Sequence, residues 1–350
     1  MPKFFRALGP LIARVDGGAR AAAPPTPAED GTQFPRAQWD LRTLIAVFGP
    51  DAPLRFLSLT TTLGLTGLPF DQGQSWSGAP DAAFDVQVCL EGRGKTAGYK
   101  RYHRVGSELE STAGAVHLHL GERLRIDGAW PHYRIEWRQA EEELSLDIAI
   151  ETHGDVQRWA WAPRYFCHYT SFGDCQLSWR WRGDSGELST PALLDHGWGR
   201  RAPLASALGL FRYEVLRLPG GDIAIGLWTE GPAGLGLRDV GVMRRRGNTL
   251  QTGYSCRVEE LDRFANYANA SRHVPRRWRA ELSGPDGTLR YSATRASVPQ
   301  PVLGDGFVSA FDYEAEGTGA WSGRFSGEGY VEQLGPAWSA NRRAPRGTSS

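Results

Sequence analysis

The chain has 350 residues, 41% of them hydrophobic and 23% charged, a composition ordinary for a soluble globular protein. That length exceeds one small sandwich and suits two lobes of about 150 residues each. A net charge of +1 provides no field to draw in nucleic acid or an anionic membrane, so neither is an expected partner. The useful excess is in 13 tryptophans and 43 glycines: indoles suit a lined pocket, and glycines suit many tight turns.

At the N-terminus, Lys3 and Arg6 precede Leu8, Leu11, Ile12 and Val15. Arg14 and Asp16 cut the apolar run short, which argues against a signal peptide, and the spacing predicts a short amphipathic helix. Docking on the body is its simplest role, and contact with a membrane surface is the weaker alternative. Gly17 to Gln33, rich in Ala and Pro, reads as a linker, so folded sequence is expected from Phe34.

From there the pattern has period two. Tyr133, Ile135 and Trp137 alternate with polar or charged residues; so do Leu177, Trp179 and Trp181, and Trp278, Ala280 and Leu282. Asp127-Gly128, Arg246-Gly247-Asn248 and Gly284 to Gly287 read as hairpin turns. Helical pattern is scarce; the best internal case is Val258 to Ala265. Many hairpins with few helices predict an all-β chain of antiparallel barrel or sandwich lobes rather than a parallel α/β fold. The expected division is residues 1–33 as amphipathic segment and linker, 34–184 as a first lobe, 185–338 as a second, and 339–350 as a disordered tail.

Cys89, Cys167, Cys175 and Cys256 match no zinc spacing and are too few for a disulfide scaffold. They read as free thiols of a reducing, cytoplasmic compartment, with a Cys167–Cys175 bridge as the minor alternative. His117 and His119 share a strand face, but zinc needs at least one more ligand and spacing marks none, so no metal is expected. No dinucleotide or phosphate loop is present: Gly92-Arg93-Gly94 lacks the flanking strand and helix, so no cofactor is expected.

The densest unusual stretch is Tyr165 to Arg201. Within it, Asp195, His196, Trp198 and Arg200 cluster around Gly197 and Gly199. On a strand, His196, Trp198 and Arg200 would point one way and Asp195 the other. An imidazole, an indole and a guanidinium each need a partner or a ligand when buried. Trp-Gly-Arg segments also close barrel ends, a purely structural role. Tyr330 and Glu332 share a strand face, and a carboxyl turned into an apolar interior would suit a proton donor. The bland alternative for Glu332 is a rim salt bridge with Arg324.

Leu194-Asp195-His196-Gly197-Trp198-Gly199-Arg200 resembles the D-H-x-W-G-R signature of the lipocalin-like hydroxyneurosporene synthase family, which includes carotenoid 1,2-hydratases and AttH-like proteins. His168-Tyr169 before it, Pro275 with Trp278, and Trp321-Ser322-Gly323 followed by Gly327 to Glu332 resemble further family elements in order. The resemblance spans about Tyr165 to Gly335. It implies two lipocalin-like barrels packed together and, in hydratase members, addition of water to an isoprenoid double bond through a cation. The signature His and Trp map onto His196 and Trp198. A family carboxylate on the next strand falls at Arg212, a departure that counts against carotenoid hydration; Glu214, two residues along on the same strand face, could substitute only after a local shift.

Three readings follow. The first is a cofactor-free hydratase, isomerase or cyclase acting on an apolar isoprenoid, polyketide or fatty molecule. Asp195, His196 and Glu332 would be its catalytic groups, and His168, Tyr169, Trp198, Arg200, Tyr213, Trp321 and Tyr330 would line its site. The second is a non-catalytic lipocalin-like carrier of the same kind of ligand. The third is a scaffold whose interior is filled by its own side chains.

Overall fold

The computed structural model describes residues 19–64, 83–104, 108–112, 115–162, 166–200, 210–230, 236–245, 249–263, 274–302 and 306–334. The expected N-terminal helix, the Arg246-Gly247-Asn248 turn and the C-terminal tail lie outside them. The described chain is almost entirely strand, as the alternation predicts, and forms two antiparallel sheets.

The first sheet is built from β1 (Arg20–Ala22), β2 (Trp39–Val47), β3 (Leu54–Gly64), β4 (Ala83–Gly92), β5 (Lys95–Arg104), β6 (Glu110–Ser111), β7 (Val116–Leu120), β8 (Leu124–Ala129), β9 (His132–Gln139), β10 (Leu144–Thr152), β11 (Val156–Ala162), β12 (Phe166–Trp181) and β13 (Asp184–Gly199). Its order is β5-β4-β3-β2-β13-β12-β10-β9-β8-β7-β6, with β11 pairing β12 and β1 beyond it. It curls over a core of Leu44, Leu59, Val86, Trp137, Ile148 and their neighbours. The second sheet comprises β14 (Leu210–Arg217), β15 (Ile223–Glu230), β16 (Gly236–Arg245), β17 (Thr249–Arg263), β18 (Pro275–Gly284), β19 (Gly287–Arg295), β20 (Gln300–Val302), β21 (Gly306–Gly317) and β22 (Gly323–Leu334). Pairing of β19 with β21 closes it into a barrel around Leu216, Trp278, Leu289 and Phe311. Together the sheets form the expected lipocalin-like all-β architecture.

A third apolar cluster joins them. Ile45, Val47, Phe56, Phe172 and Leu193 project from the outer face of the curled sheet onto Tyr213, Val215, Ile225 and Tyr330 of the barrel. Tyr330 packs edge-on against Phe56 with ring centroids 5.2 Å apart, and Trp159 against Tyr213 at 6.1 Å. At the same junction Arg55 lies 3.1 Å from both Asp312 and Glu328.

Four expectations are corrected. Asp184 is not where the lobes divide: β12 and β13 pair along their full length, so the chain passes between sheets after Gly199 and before Leu210. The linker reading fails for its described part, because β1 pairs β11 and Pro27–Asp30 forms one helical turn closed by a Thr26–Glu29 capping box. Val258 lies in β17, where pairing with β18 and burial of alternate residues beside Tyr254 and Cys256 override the weak helical spacing. Asp127-Gly128 sits inside β8, and the chain reverses instead around Trp130 and Pro131. Gly284 and Gly287 do close the β18–β19 hairpin, and all four cysteines are buried and lie outside any disulfide.

Candidate functional site

The cluster around Gly197 is divided by strand alternation. In register, Tyr169 of β12, His196 of β13 and Arg42 of β2 form one row on the inner face of the curled sheet. One residue along, Thr170, Asp195, Thr43 and Thr60 form a row on the outer face, toward the barrel. Asp195 and His196 are therefore neighbours in sequence that never meet as an acid–base pair.

On the inner face, His196 is 1% exposed. Its Nδ1 lies 3.3 Å from the Tyr169 hydroxyl and its Nε2 3.3 Å from the Asp40 carboxylate. Arg42 stands 3.9 Å from Asp40 and 4.0 Å from Asp30. Asp30 accepts from Tyr133 at 2.5 Å, from Tyr169 at 3.2 Å and from the Trp130 backbone at 2.9 Å. Burial, aided by the Arg42 charge, lowers the His196 pKa and disfavours the protonated ring. Burial pushes the other way on Asp40, but His196 and Arg42 hold its carboxyl down. Trp198 covers the network, 4.6 Å from the His196 ring and 6.0 Å from that of Tyr169. A cavity of about 10 Å³, room for about one water, lies beyond Arg42 and Tyr133 among Leu44, Leu59 and Ile126. The inner face around His196 is thus occupied by its own polar network.

The outer face is different. Asp195 accepts a short hydrogen bond from Thr170, whose hydroxyl in turn accepts from the Trp159 indole at 2.6 Å. Opposite it, the barrel presents Tyr213 of β14 in register with Glu332 of β22. The Tyr330 hydroxyl lies 3.4 Å from Glu332 and 3.4 Å from Ser58 of the curled sheet. Burial raises the Asp195 pKa to about 7, against the opposing Thr170 hydrogen bond. Burial, and then the nearby Asp195 charge, raises Glu332 to about 7. The Tyr213 hydroxyl, beside Thr170 and Asp195, has no hydrogen-bond partner of normal geometry.

The pair is deep but not sealed. Asp195 retains 8% exposure, and Glu332 is half-buried, as are Thr60, His168, Phe211 and Val240 around it. In the barrel interior, by contrast, Arg212 and Glu214 are each 1% exposed. Glu214 accepts from Arg212, from the Trp278 indole at 3.1 Å and from the Tyr291 hydroxyl at 2.6 Å, while Arg212 stacks on Trp278 at 4.5 Å. That filled barrel leaves Glu214 no role as a substitute acid at a ligand site.

The other sequence candidates scatter. His168 lies at the junction, its ring 6.5 Å from that of Trp159. Trp321 is buried in the barrel core against Tyr254, at 5.5 Å. Arg200 falls just past β13 and is exposed, so it does not share the His196 face. Tyr330 and Glu332 do share a face, but it meets the curled sheet instead of the barrel interior; Arg324 pairs with Glu316. Asp30, Asp40, Arg42 and Thr170 carried no local signal, because each gains meaning only through partners on distant strands.

The family model of DUF6670, described as a family of unknown function, matches residues 94–335. No curated protein matches the chain. Among solved structures, the chain is similar to a protein described as AttH from Nitrosomonas europaea, with 14% identity, a TM-score of 0.64, and 90% of this chain and 99% of that one covered. It is also similar to kievitone hydratase from Nectria haematococca, with 10% identity, a TM-score of 0.58, and 88% and 91% of the two chains covered.

Proposed function

We propose that the chain, which belongs to the DUF6670 family of unknown function, binds an apolar small molecule at the junction of its two sheets and exchanges protons with it through Asp195 and Glu332. One observation carries this reading: two carboxyls from different sheets, both pushed up to about 7 by burial, lie near enough across the junction for the charge on Asp195 to raise Glu332.

A carboxyl pair of this kind holds about one proton near neutral pH, so one member is an acid while the other is a base. In a hydration, the protonated carboxyl gives its proton to an alkene carbon. Water adds to the resulting cation and loses a proton to the ionised partner, which returns the pair to its starting charge. In an isomerisation the same two groups deliver and remove protons at different carbons. Trp159, Tyr213 and Tyr330 offer aromatic surface near a developing cation, and the Tyr213 hydroxyl, beside Thr170 and Asp195, offers a donor. The D-H-x-W-G-R resemblance to hydratase members, and a fold shared with a protein named a hydratase, favour addition of water within this class. In this reading His196 and Trp198 hold the curled sheet in shape, and Asp195 supplies the chemistry of the signature.

The test is to recover the compound retained by tag-free protein from its native host and incubate it with fresh protein in deuterated water. Deuterium incorporation with a gain of one water identifies hydration, and incorporation without added water identifies isomerisation or cyclisation. Asp195→Asn and Glu332→Gln are expected to abolish either. Retention of the compound without any conversion or incorporation would instead establish the carrier reading.

A further inference from the structure

Away from the junction, β7 and β8 bring three metal-ligating side chains to one point. His117 and His119 stand two apart on β7 and so share a face, and Asp127 lies directly across from His117 on β8. Asp127 Oδ1 is 2.6 Å from His117 Nδ1, and its Oδ2 is 3.2 Å from His119 Nε2. One ligand atom from each of the three fits within 4.8 Å, and the two imidazoles lie 4.1 Å apart. Tetrahedral zinc with bonds of about 2.1 Å needs donor atoms about 3.4 Å apart, so only small shifts separate this arrangement from a coordination face.

We propose that His117, His119 and Asp127 form a divalent transition-metal site, with zinc as its natural occupant. Two neutral imidazoles and one carboxylate are a borderline donor set, suited to zinc over calcium or magnesium. All three side chains remain 23% to 37% exposed, so the ion has an entry path and the site keeps open positions for water. The present competitor is Arg125, which hydrogen-bonds Asp127 from a side chain 58% exposed and free to swing into solvent. Glu110 pairs with His119 across β6 and shares its face, where it can supply a fourth ligand.

Titration of the tag-free full chain with zinc, by calorimetry and by the visible spectrum of cobalt as its stand-in, tests the site. One equivalent should bind, with cobalt bands of a low-coordinate nitrogen–oxygen site. His119→Ala and the near-isosteric Asp127→Asn should each abolish that equivalent, and Arg125→Gln should tighten it by releasing the carboxylate. Absence of stoichiometric binding overturns the proposal. So does binding that persists unchanged in both ligand variants.

Discussion

Asp195 of the curled sheet and Glu332 of the barrel lie close enough across the junction for the charge on the first to raise the pKa of the second. Both carboxyls are held at about 7. Between about pH 4 and pH 7 the folded protein keeps protons that the unfolded chain has released, so these groups lower stability as pH rises through that window. Asp195→Asn and Glu332→Gln remove the penalty. Each should gain about 3 to 4 kcal/mol at pH 8 and nothing near pH 4. Urea denaturation at the two pH values measures the difference, and a variant more stable yet inactive is the pattern expected of a functional group.

The His196 network has the opposite sign. Burial and Arg42 lower His196, so on acidification below about pH 6.5 the unfolded chain takes up that proton first. Asp40, held down by His196 and Arg42 against the effect of its burial, likewise loses its contribution as pH falls. His196→Gln should cost about 1 to 3 kcal/mol at pH 7 and flatten the acid side of the stability profile. Melting temperatures at pH 5 and pH 7.5 check this. Turnover per folded molecule should be unchanged, because the ring faces away from the junction.

In the barrel, Glu214 accepts hydrogen bonds from Arg212, Trp278 and Tyr291 at once. Glu214→Ala leaves the buried Arg212 guanidinium with only Glu260, 3.8 Å away, as counter-charge and should cost about 3 to 5 kcal/mol, whereas replacing Arg212 and Glu214 together by Met and Leu should cost far less. Chemical denaturation of the single and double variants measures the gap, and equal losses would refute the pairing argument.

Asp30 anchors Tyr133, Tyr169 and the Trp130 backbone from a segment that reads as linker. Asp30→Ala should cost about 2 to 4 kcal/mol, since it leaves several buried donors unpaired. A chain starting at Phe34 should melt lower still, and thermal melts of both check the claim.

Much of the architecture is legible in local pattern. The alternation of Leu177, Trp179 and Trp181, and the Gly284–Gly287 turn, specify strands and a hairpin without tertiary information. The site is only half legible. Alternation correctly separates Asp195 from His196, and the shared face of Tyr330 and Glu332 is likewise visible. What those faces meet is not, because it depends on how two sheets dock. The roles of Arg42 and Thr170 come from cross-strand register with β13, and Val258 shows pairing and burial prevailing over a weak helical period. Asp127 joins His117 only through the β7–β8 pairing, which no spacing rule reveals.

Carbon-13 NMR of the full chain, with carboxyl-labelled Asp and Glu assigned through Asp195→Asn and Glu332→Gln, bears most directly on the junction pair. Two coupled titrations between about pH 6 and pH 8 are expected, with loss of either carboxyl lowering the apparent pKa of the other. Ordinary titration of both groups near pH 4, unaffected by the partner's removal, would contradict the account.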